Sequence, residues 1–261
     1  MKAITSRDNP QYKELKQFAI DQRARKKAVR TLLDGIHLCQ VYLQQVGAPL
    51  VCVANETAIQ KPEVAAIVDH CMSLGARCIF LPDVLYKPLS QVESGIGILF
   101  LIAIPQAEAP ARLTQSAVLL DQIQDPGNLG SILRSAAAAG ISQVFCSAGT
   151  SAAWSPRVLR AGMGAHFLLQ IVENADFLSL LESADIPVLA TSSYAEQSIY
   201  DIDLRQPAAW LFGHEGQGVS ANLLNLATHS VSIPHRGAME SLNVAASAAV
   251  CFFEQVRQMQ S

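Results

Sequence analysis

Leu211-Phe-Gly-His-Glu-Gly-Gln-Gly218 and, further on, Ile233-Pro-His-Arg-Gly-Ala-Met-Glu-Ser-Leu-Asn-Val244 decide the reading of this chain. Each begins as an apolar, strand-like run, stops in a glycine-rich or Pro/Gly turn and leads into a helix. Gly213, Gly216 and Gly218 remove the side chains that would hold a ligand off and leave backbone N–H and C=O groups free to grip it. Glu215 is the only charge among them. Ser241, Leu242 and Asn243 stand at the start of a long apolar helix, where a small polar side chain either caps free N–H groups or turns its oxygen toward a ligand. Local pattern leaves both uses open.

A third stretch, Ala117-Val-Leu-Leu-Asp-Gln-Ile-Gln-Asp-Pro-Gly-Asn-Leu-Gly-Ser-Ile-Leu-Arg-Ser-Ala-Ala-Ala-Ala-Gly140, joins these two. Val118 to Ile123 reads as a buried strand, and Asp125-Pro-Gly-Asn128 as a turn with Asn128 the natural N-cap of a helix to Ala139. At about 100° per residue, Leu129, Ile132, Leu133, Ala136 and Ala137 share one apolar arc. Arg134 points away from it, and taken alone it reads as a solvated surface charge. Strands are expected at 143–147, 167–172, 187–191, 210–213 and 230–234, with helices at 128–139 and 175–183 and a helical or irregular segment at 155–164. The sheet should be largely parallel, with ligands at the carboxyl ends of its strands. Val244 to Phe253 is apolar or small on every side except Ser247, so the closing helix, from Ser241 to about Gln258, needs cover from its own sheet and from a second subunit. Phe252 is the position whose change to Glu is expected to part the two.

With 261 residues, half of them hydrophobic, the chain is comfortable as two domains. Ile96 to Ile104 is its strongest apolar run and is too short to cross a bilayer. The first ten residues lack an apolar signal core, so a cytoplasmic protein is expected. Six scattered cysteines, Cys39, Cys52, Cys71, Cys78, Cys146 and Cys251, contain no Cys-x-x-Cys pair, which predicts buried thiols and no metal site. The formal net charge is −3, unevenly spread: residues 1–30 hold nine Lys/Arg against three acids, and the rest ten against nineteen. A basic end on an acidic body suits a phosphate-binding arm and equally a solvated helix face.

Before the motifs, Tyr12, Leu15, Phe18 and Ala19 form one face of a helix opened by Asn9-Pro10. Thr31 begins a short strand, Asp34-Gly35 a turn and a further helix. Strand at 50–54, helix at 62–73, strand at 77–81, short helix at 82–88 and strand at 97–104 follow, an α/β alternation. Pro105-Gln-Ala-Glu-Ala-Pro-Ala-Arg112 is the linker candidate, so the expected domains are 1–104, a linker at 105–116, and 117–261. No Walker loop, no Gly-x-Gly-x-x-Gly after an early strand and no hydrolase elbow is present.

In order and spacing the three stretches resemble the signatures of the SpoU (TrmH-like) branch of the SPOUT methyltransferases, over most of residues 117–250. Ser6-Arg-Asp-Asn-Pro10 and Asp34-Gly-Ile-His37 resemble motifs of the small α/β substrate-binding domain that precedes the catalytic domain in many members. Asp34 stands where Glu is usual, and Glu93-Ser-Gly-Ile-Gly-Ile98 replaces a Pro-Gln-Gly turn. The resemblance implies an α/β SPOUT domain with a parallel sheet and a trefoil knot. It also implies transfer of a methyl group from S-adenosylmethionine to a ribose 2′-oxygen of RNA, ribosomal RNA more than transfer RNA, by a homodimer joined through the C-terminal helix. A non-catalytic RNA-binding module and an RNA base methyltransferase are the alternatives. Asn128, Arg134, Glu215, Ser241 and Asn243 align with catalytic positions, and Thr191, Ser192, Gly213, Glu215, Gly218, Ile233, Ser241, Leu242 and Asn243 with the cofactor pocket. Arg23, Arg25, Lys26, Lys27, Arg30, Arg157 and Arg160 are the expected RNA contacts. His214 and His235 have no partner at ligand spacing and read as structural or peripheral. A guanidinium stays protonated, so Arg134 suits a phosphate better than a proton. A phosphate oxygen or a water arranged by Arg134 and Asn128 is the expected proton acceptor, with Glu215 second.

Overall fold

Asn9 opens the first helix as its spacing requires. Its Oδ1 accepts from the N–H of Gln11 and Tyr12 while Pro10 takes the first turn of α1, Pro10–Ile20. The computed structural model describes residues 2–90 and 95–260, and within them the chain divides into two units, 1–105 with 154–167, and 106–153 with 168–261.

In the first unit the short strand β1, Lys2–Ala3, precedes α1, whose Tyr12, Leu15, Phe18 and Ala19 are buried as their spacing predicts. Asp21 ends α1 and caps α2, Gln22–Ala28, which stops where Val29 turns left-handed at φ 53°. Then follow β2 (Arg30–Asp34), α3 (Ile36–Gln45), β3 (Val51–Asn55), α4 (Pro62–Ser73), β4 (Arg77–Leu81), α5 (Asp83–Tyr86) and β5 (Ile98–Ala103). The strand order is β1-β4-β3-β5-β2, and β5 runs antiparallel to both its neighbours. Glu93 and Ser94 of the departing turn lie outside the described residues. From 104 to 116 no helix or strand forms; Leu113 is fully buried in the second unit's core.

The second unit opens with β6 (Ala117–Leu120), α6 (Pro126–Ala138) and β7 (Gln143–Cys146). The N-cap of α6 is Asp125, not the expected Asn128: Pro126 cannot donate and fits the first turn, so the cap falls one residue before it, and the Asp125 Oδ1 accepts from the Asn128 N–H at 2.8 Å. This leaves the Asn128 amide unused by the helix.

The chain then enters α7, Pro156–Gly162, capped by Ser155, in the segment that packs with the first unit. There Thr31 Oγ1 donates to the Trp154 carbonyl at 2.8 Å, and His37 Nε2 lies 3.3 Å from the Met163 carbonyl. Gly164, at φ +92°, lies so near Val41 that a Cβ would stand 2.7 Å from its Cγ1.

Back in the second unit come β8 (Gln170–Glu173), α8 (Phe177–Glu182), β9 (Val188–Thr191), β10 (Gln197–Ser198), β11 (Ala209–Phe212), α9 (Ala221–Leu226), β12 (His229–Ser232) and α10 (Val244–Met259). The seven strands run parallel in the order β10-β12-β9-β11-β6-β7-β8. Asn243, not Ser241, caps α10, so this helix starts three residues later than expected. Its inner face is set by Phe252, fully buried and edge-on to Phe212 at 5.7 Å, and by Gln255, whose Oε1 accepts from Trp210 Nε1 at 2.8 Å. Burial of the Phe252 ring contributes about 2–3 kcal/mol. Phe252 therefore serves this chain's own core, and the outward apolar side chains are Phe253 and Met259, 49% and 54% exposed.

All six cysteines are buried free thiols. Burial pushes Cys251 up to about 12, which keeps it an unreactive, protonated apolar group. Among the described residues no helix is long and apolar enough to cross a membrane.

Candidate active site

The carboxyl ends of β6, β9, β11 and β12 carry the turns that matter, and their side chains explain how the turns are held. Asp121, at the end of β6 and 5% exposed, accepts from Ser147 Oγ at 3.1 Å and from the Ser220 N–H at 3.3 Å. It thereby ties the ends of β6 and β7 to the start of α9. Motif spacing did not single out Asp121; its signal is an aspartate closing a wholly apolar strand, which needs partners to be buried.

After β11 the chain doubles back on itself. The Gly218 N–H donates to the His214 carbonyl at 2.8 Å, and the Gly216 N–H to His214 Nδ1 at 2.9 Å. A Cβ on Gly213 would lie 2.0 Å from the Gly218 carbonyl carbon and 2.1 Å from the Val219 nitrogen, so no side chain is possible there. His214, read from sequence as structural or peripheral, is structural: it braces this turn.

Glu215 turns away from the turn toward α6. Its carboxylate accepts from the backbone N–H of Gln124 and of Asp125 and from Asn128 Nδ2, each at 3.1 Å. Asn128 Oδ1 in turn accepts from Asn243 Nδ2 at 2.9 Å, and Asn243 Oδ1 caps α10 through Ala245 and Ala246. The three sequence motifs are therefore wired in series, from the start of α10 through that of α6 to the glycine turn. Burial raises the Glu215 carboxyl, but the hydrogen bonds from Asn128 and from the N–H groups of Glu215 itself, Gln124 and Asp125 outweigh it, so the group sits below its ordinary value. An ionised carboxylate with three donors on it is a strut and a weak base.

Around this wiring lies a cleft of about 370 Å³, lined by the 191–194, 213–219 and 231–247 stretches. Of the expected pocket residues Thr191, Ser192, Gly213, Glu215, Gly218, Ile233, Ser241 and Leu242 line it; Asn243 does not, and joins it through Asn128. Thr191 Oγ1 donates to the Leu211 carbonyl at 3.2 Å, so its hydroxyl is spent on the sheet. Ser241 and Leu242 are exposed on the wall. Sequence reasoning passed over Tyr194, 94% exposed at the same cleft, because no periodicity marks a loop residue. Arg134 is exposed on α6, beside which α10 packs, and has no hydrogen-bond or ion-pair partner among the described residues.

Of the expected RNA contacts, Arg23, Lys26 and Lys27 are exposed on α2, and Arg157 and Arg160 on α7. Arg25 is not a free surface charge: it is 8% exposed, and its Nη1 donates to the Phe18 carbonyl at 2.6 Å. Arg30 is half-buried and paired with Glu14 at 3.2 Å. A basic run on a short helix must turn some of its members inward, and charge counting does not say which.

Residues 115–253 match the model of the SpoU rRNA methylase family. The chain belongs to this family. Among SpoU relatives, an uncharacterised tRNA/rRNA methyltransferase of Synechocystis sp. is 33% identical over 98% of this chain and 94% of its own. The 23S rRNA (guanosine(2553)-2′-O)-methyltransferase RlmP of Bacillus subtilis is 29% identical over 97% of this chain and 98% of its own. A solved RNA 2′-O ribose methyltransferase superposes with a TM-score of 0.82 at 29% identity, covering 99% of this chain and 100% of its own.

Proposed function

We propose that this SpoU methylase transfers a methyl group from S-adenosylmethionine to a ribose 2′-hydroxyl of ribosomal RNA. The observation that carries the reading is the series Asn243–Asn128–Glu215 at the edge of one glycine-walled cleft. The cleft fits the cofactor: about 370 Å³ is within the range of sites for small ligands, and its walls are largely turn backbone, with Gly213 barred from carrying a side chain. Gly213, Gly218, Ile233 and Leu242 would hold the cofactor, with Thr191 and Ser192 at the end of β9 closing one side. The bound sulfonium supplies an electrophilic methyl.

This chain's side chains have the other tasks. Arg134, with its cation unspent, would hold a phosphate beside the target sugar and stabilise the oxygen as its proton leaves. The proton goes to a phosphate oxygen or a water placed by Arg134 and Asn128. Glu215 is set aside as base, because its oxygens are already occupied and its proton affinity is lowered. Ser241, on the cleft wall, is positioned to touch cofactor or substrate. The work would take place in the cytoplasm, on RNA gripped by Arg23, Lys26 and Lys27. The family's trefoil knot is carried over to the segment leading into α10, and the family's homodimer to the outer face of that helix, where Phe253 and Met259 are exposed.

Incubation with S-adenosylmethionine and ribosomal RNA from cells lacking the protein, followed by nucleoside mass spectrometry, tests the reading. A ribose-methylated nucleoside is expected. A base-methylated one, or none together with no cofactor binding in calorimetry, would favour the alternatives. For the dimer, Phe253→Glu is expected to give a folded monomer of lower activity by light scattering, whereas Phe252→Glu should unfold the chain at a cost of about 4–5 kcal/mol. A fully active Phe253→Glu monomer would refute the dimer.

A further inference from the structure

Among the described residues the two most exposed large apolar side chains are Tyr194, at 94%, and Met239, at 76%. They lie far apart in sequence, yet both belong to the cleft proposed for the cofactor. Tyr194 lines it, and Met239 directly precedes Glu240, Ser241 and Leu242, which line it too. We infer that the Tyr194 ring stacks on the base of the nucleotide being methylated, with Leu242 and Met239 completing an apolar rim, and so holds the sugar of that nucleotide at the methyl donor. The inference rests on the reading proposed above and adds to it the residue that engages the acceptor base.

A single exposed apolar side chain is ordinary; this one stands on an anchored backbone. Thr191 Oγ1 donates to the Leu211 carbonyl at 3.2 Å and the Ser192 N–H to the Val231 carbonyl at 2.9 Å, which fastens the end of β9 to both its neighbours, β11 and β12. The Tyr194 N–H then donates to Ser192 Oγ at 3.2 Å and the Ala195 N–H to the Ser192 carbonyl at 3.3 Å, closing a turn. The turn spends its polar groups on itself and carries the ring outward, where the phenol makes no hydrogen bond among the described residues. A tyrosine has only two side-chain torsions to settle, so stacking it on a ligand costs little conformational entropy.

The lining says what that ligand is. Neither lysine nor arginine lines the cleft, and its acidic groups are Glu215 and Glu240. Such a mouth repels a phosphate and accepts a flat apolar face, which every base offers. The cofactor has an adenine of its own, but a ring 94% open to solvent touches the cleft walls little and suits a group arriving from outside. The base of the acceptor nucleotide is such a group. It is joined to the carbon next to the one that bears the 2′-oxygen, so holding the base orients the nucleophile.

Methylation kinetics test this on an RNA fragment centred on the nucleotide that mass spectrometry identifies, made either with its base or with an abasic ribose in its place. Tyr194→Ala should lower kcat/KM about tenfold on the complete RNA and little on the abasic one. Removal of the base should cost the wild type about tenfold and the variant little, the non-additivity of two groups in contact. Tyr194→Phe should keep wild-type rates, because stacking needs the ring and not the hydroxyl. S-adenosylmethionine affinity by calorimetry, and melting temperature, should be the same in all three proteins. Equal losses on both RNAs would mean that the ring does not act through the base. A cofactor affinity that falls with the rate would place the ring on the adenine, and a Phe variant as poor as the Ala variant would make the hydroxyl the acting group. Each of these would overturn the proposal and leave the methyltransferase standing. A wild type that methylates no ribosomal RNA would remove the functional reading, and this proposal with it.

Discussion

The wall of the cleft and its rim are made of different material. The wall is backbone: Gly213, Gly216 and Gly218 supply no side chain, and the polar groups nearby mostly brace one another. The rim is side chain, with Tyr194, Met239 and Leu242 exposed on two loops far apart in sequence. A backbone wall fixes shape and tolerates no addition, and a side-chain rim offers contact and loses function by subtraction. Substitution should therefore act oppositely in the two places.

Gly213→Ala offers the largest contrast. The added methyl overlaps the Gly218–Val219 backbone, so a loss of about 3 kcal/mol in urea unfolding and at least a tenfold loss of S-adenosylmethionine affinity are expected. Unchanged affinity would mean that the turn does not shape the donor site. Asn128→Ala removes the middle link of the series and leaves Glu215 and Asn243 each short of a partner. At this half-buried position a cost of about 1 kcal/mol is expected, with a fall in kcat larger than any change in KM; equal shifts in both would mark a merely structural link.

The smallest effect is the pH response of Glu215. A carboxyl depressed in the folded chain contributes stability that is present above the unfolded value, about 4.3 for glutamate, and is lost as pH falls through the folded one. The tie from Glu215 to the Gln124 and Asp125 amides should hold past the ordinary value and open only below it. Amide exchange at those two positions reads this directly, and opening already at about pH 5 would contradict the lowered value.

Local chemistry made much of this legible. Strand β4 and helix α4 fall on the residues their patterns mark, because Pro62 starts the one and strict apolar runs set the other. The glycine turn was legible for the same reason: a run of glycines has few uses. Caps misled where two candidates competed: Pro126 at the first turn moves the cap of α6 from Asn128 to Asp125, and α10 takes Asn243 rather than Ser241. Strand β10 is two residues long and leaves no pattern. The packing of residues 154–167 with the first unit rests on contacts such as Thr31 to Trp154, far apart in sequence, which periodicity does not report. Burial of Arg25 and of Phe252 belongs to the same class, because which member of a basic or apolar run faces inward depends on what lies beneath it.

The division of labour between a backbone wall for the methyl donor and an unspent arginine for the RNA is tested most directly at Arg134. Single-turnover transfer and calorimetric cofactor binding should be measured together on Arg134→Ala. Transfer is expected to fall by about a thousandfold, the scale of losing one preorganised donor at the reacting oxygen, with S-adenosylmethionine affinity within twofold of wild type. Retained transfer, or a cofactor affinity that falls along with it, would contradict the assignment.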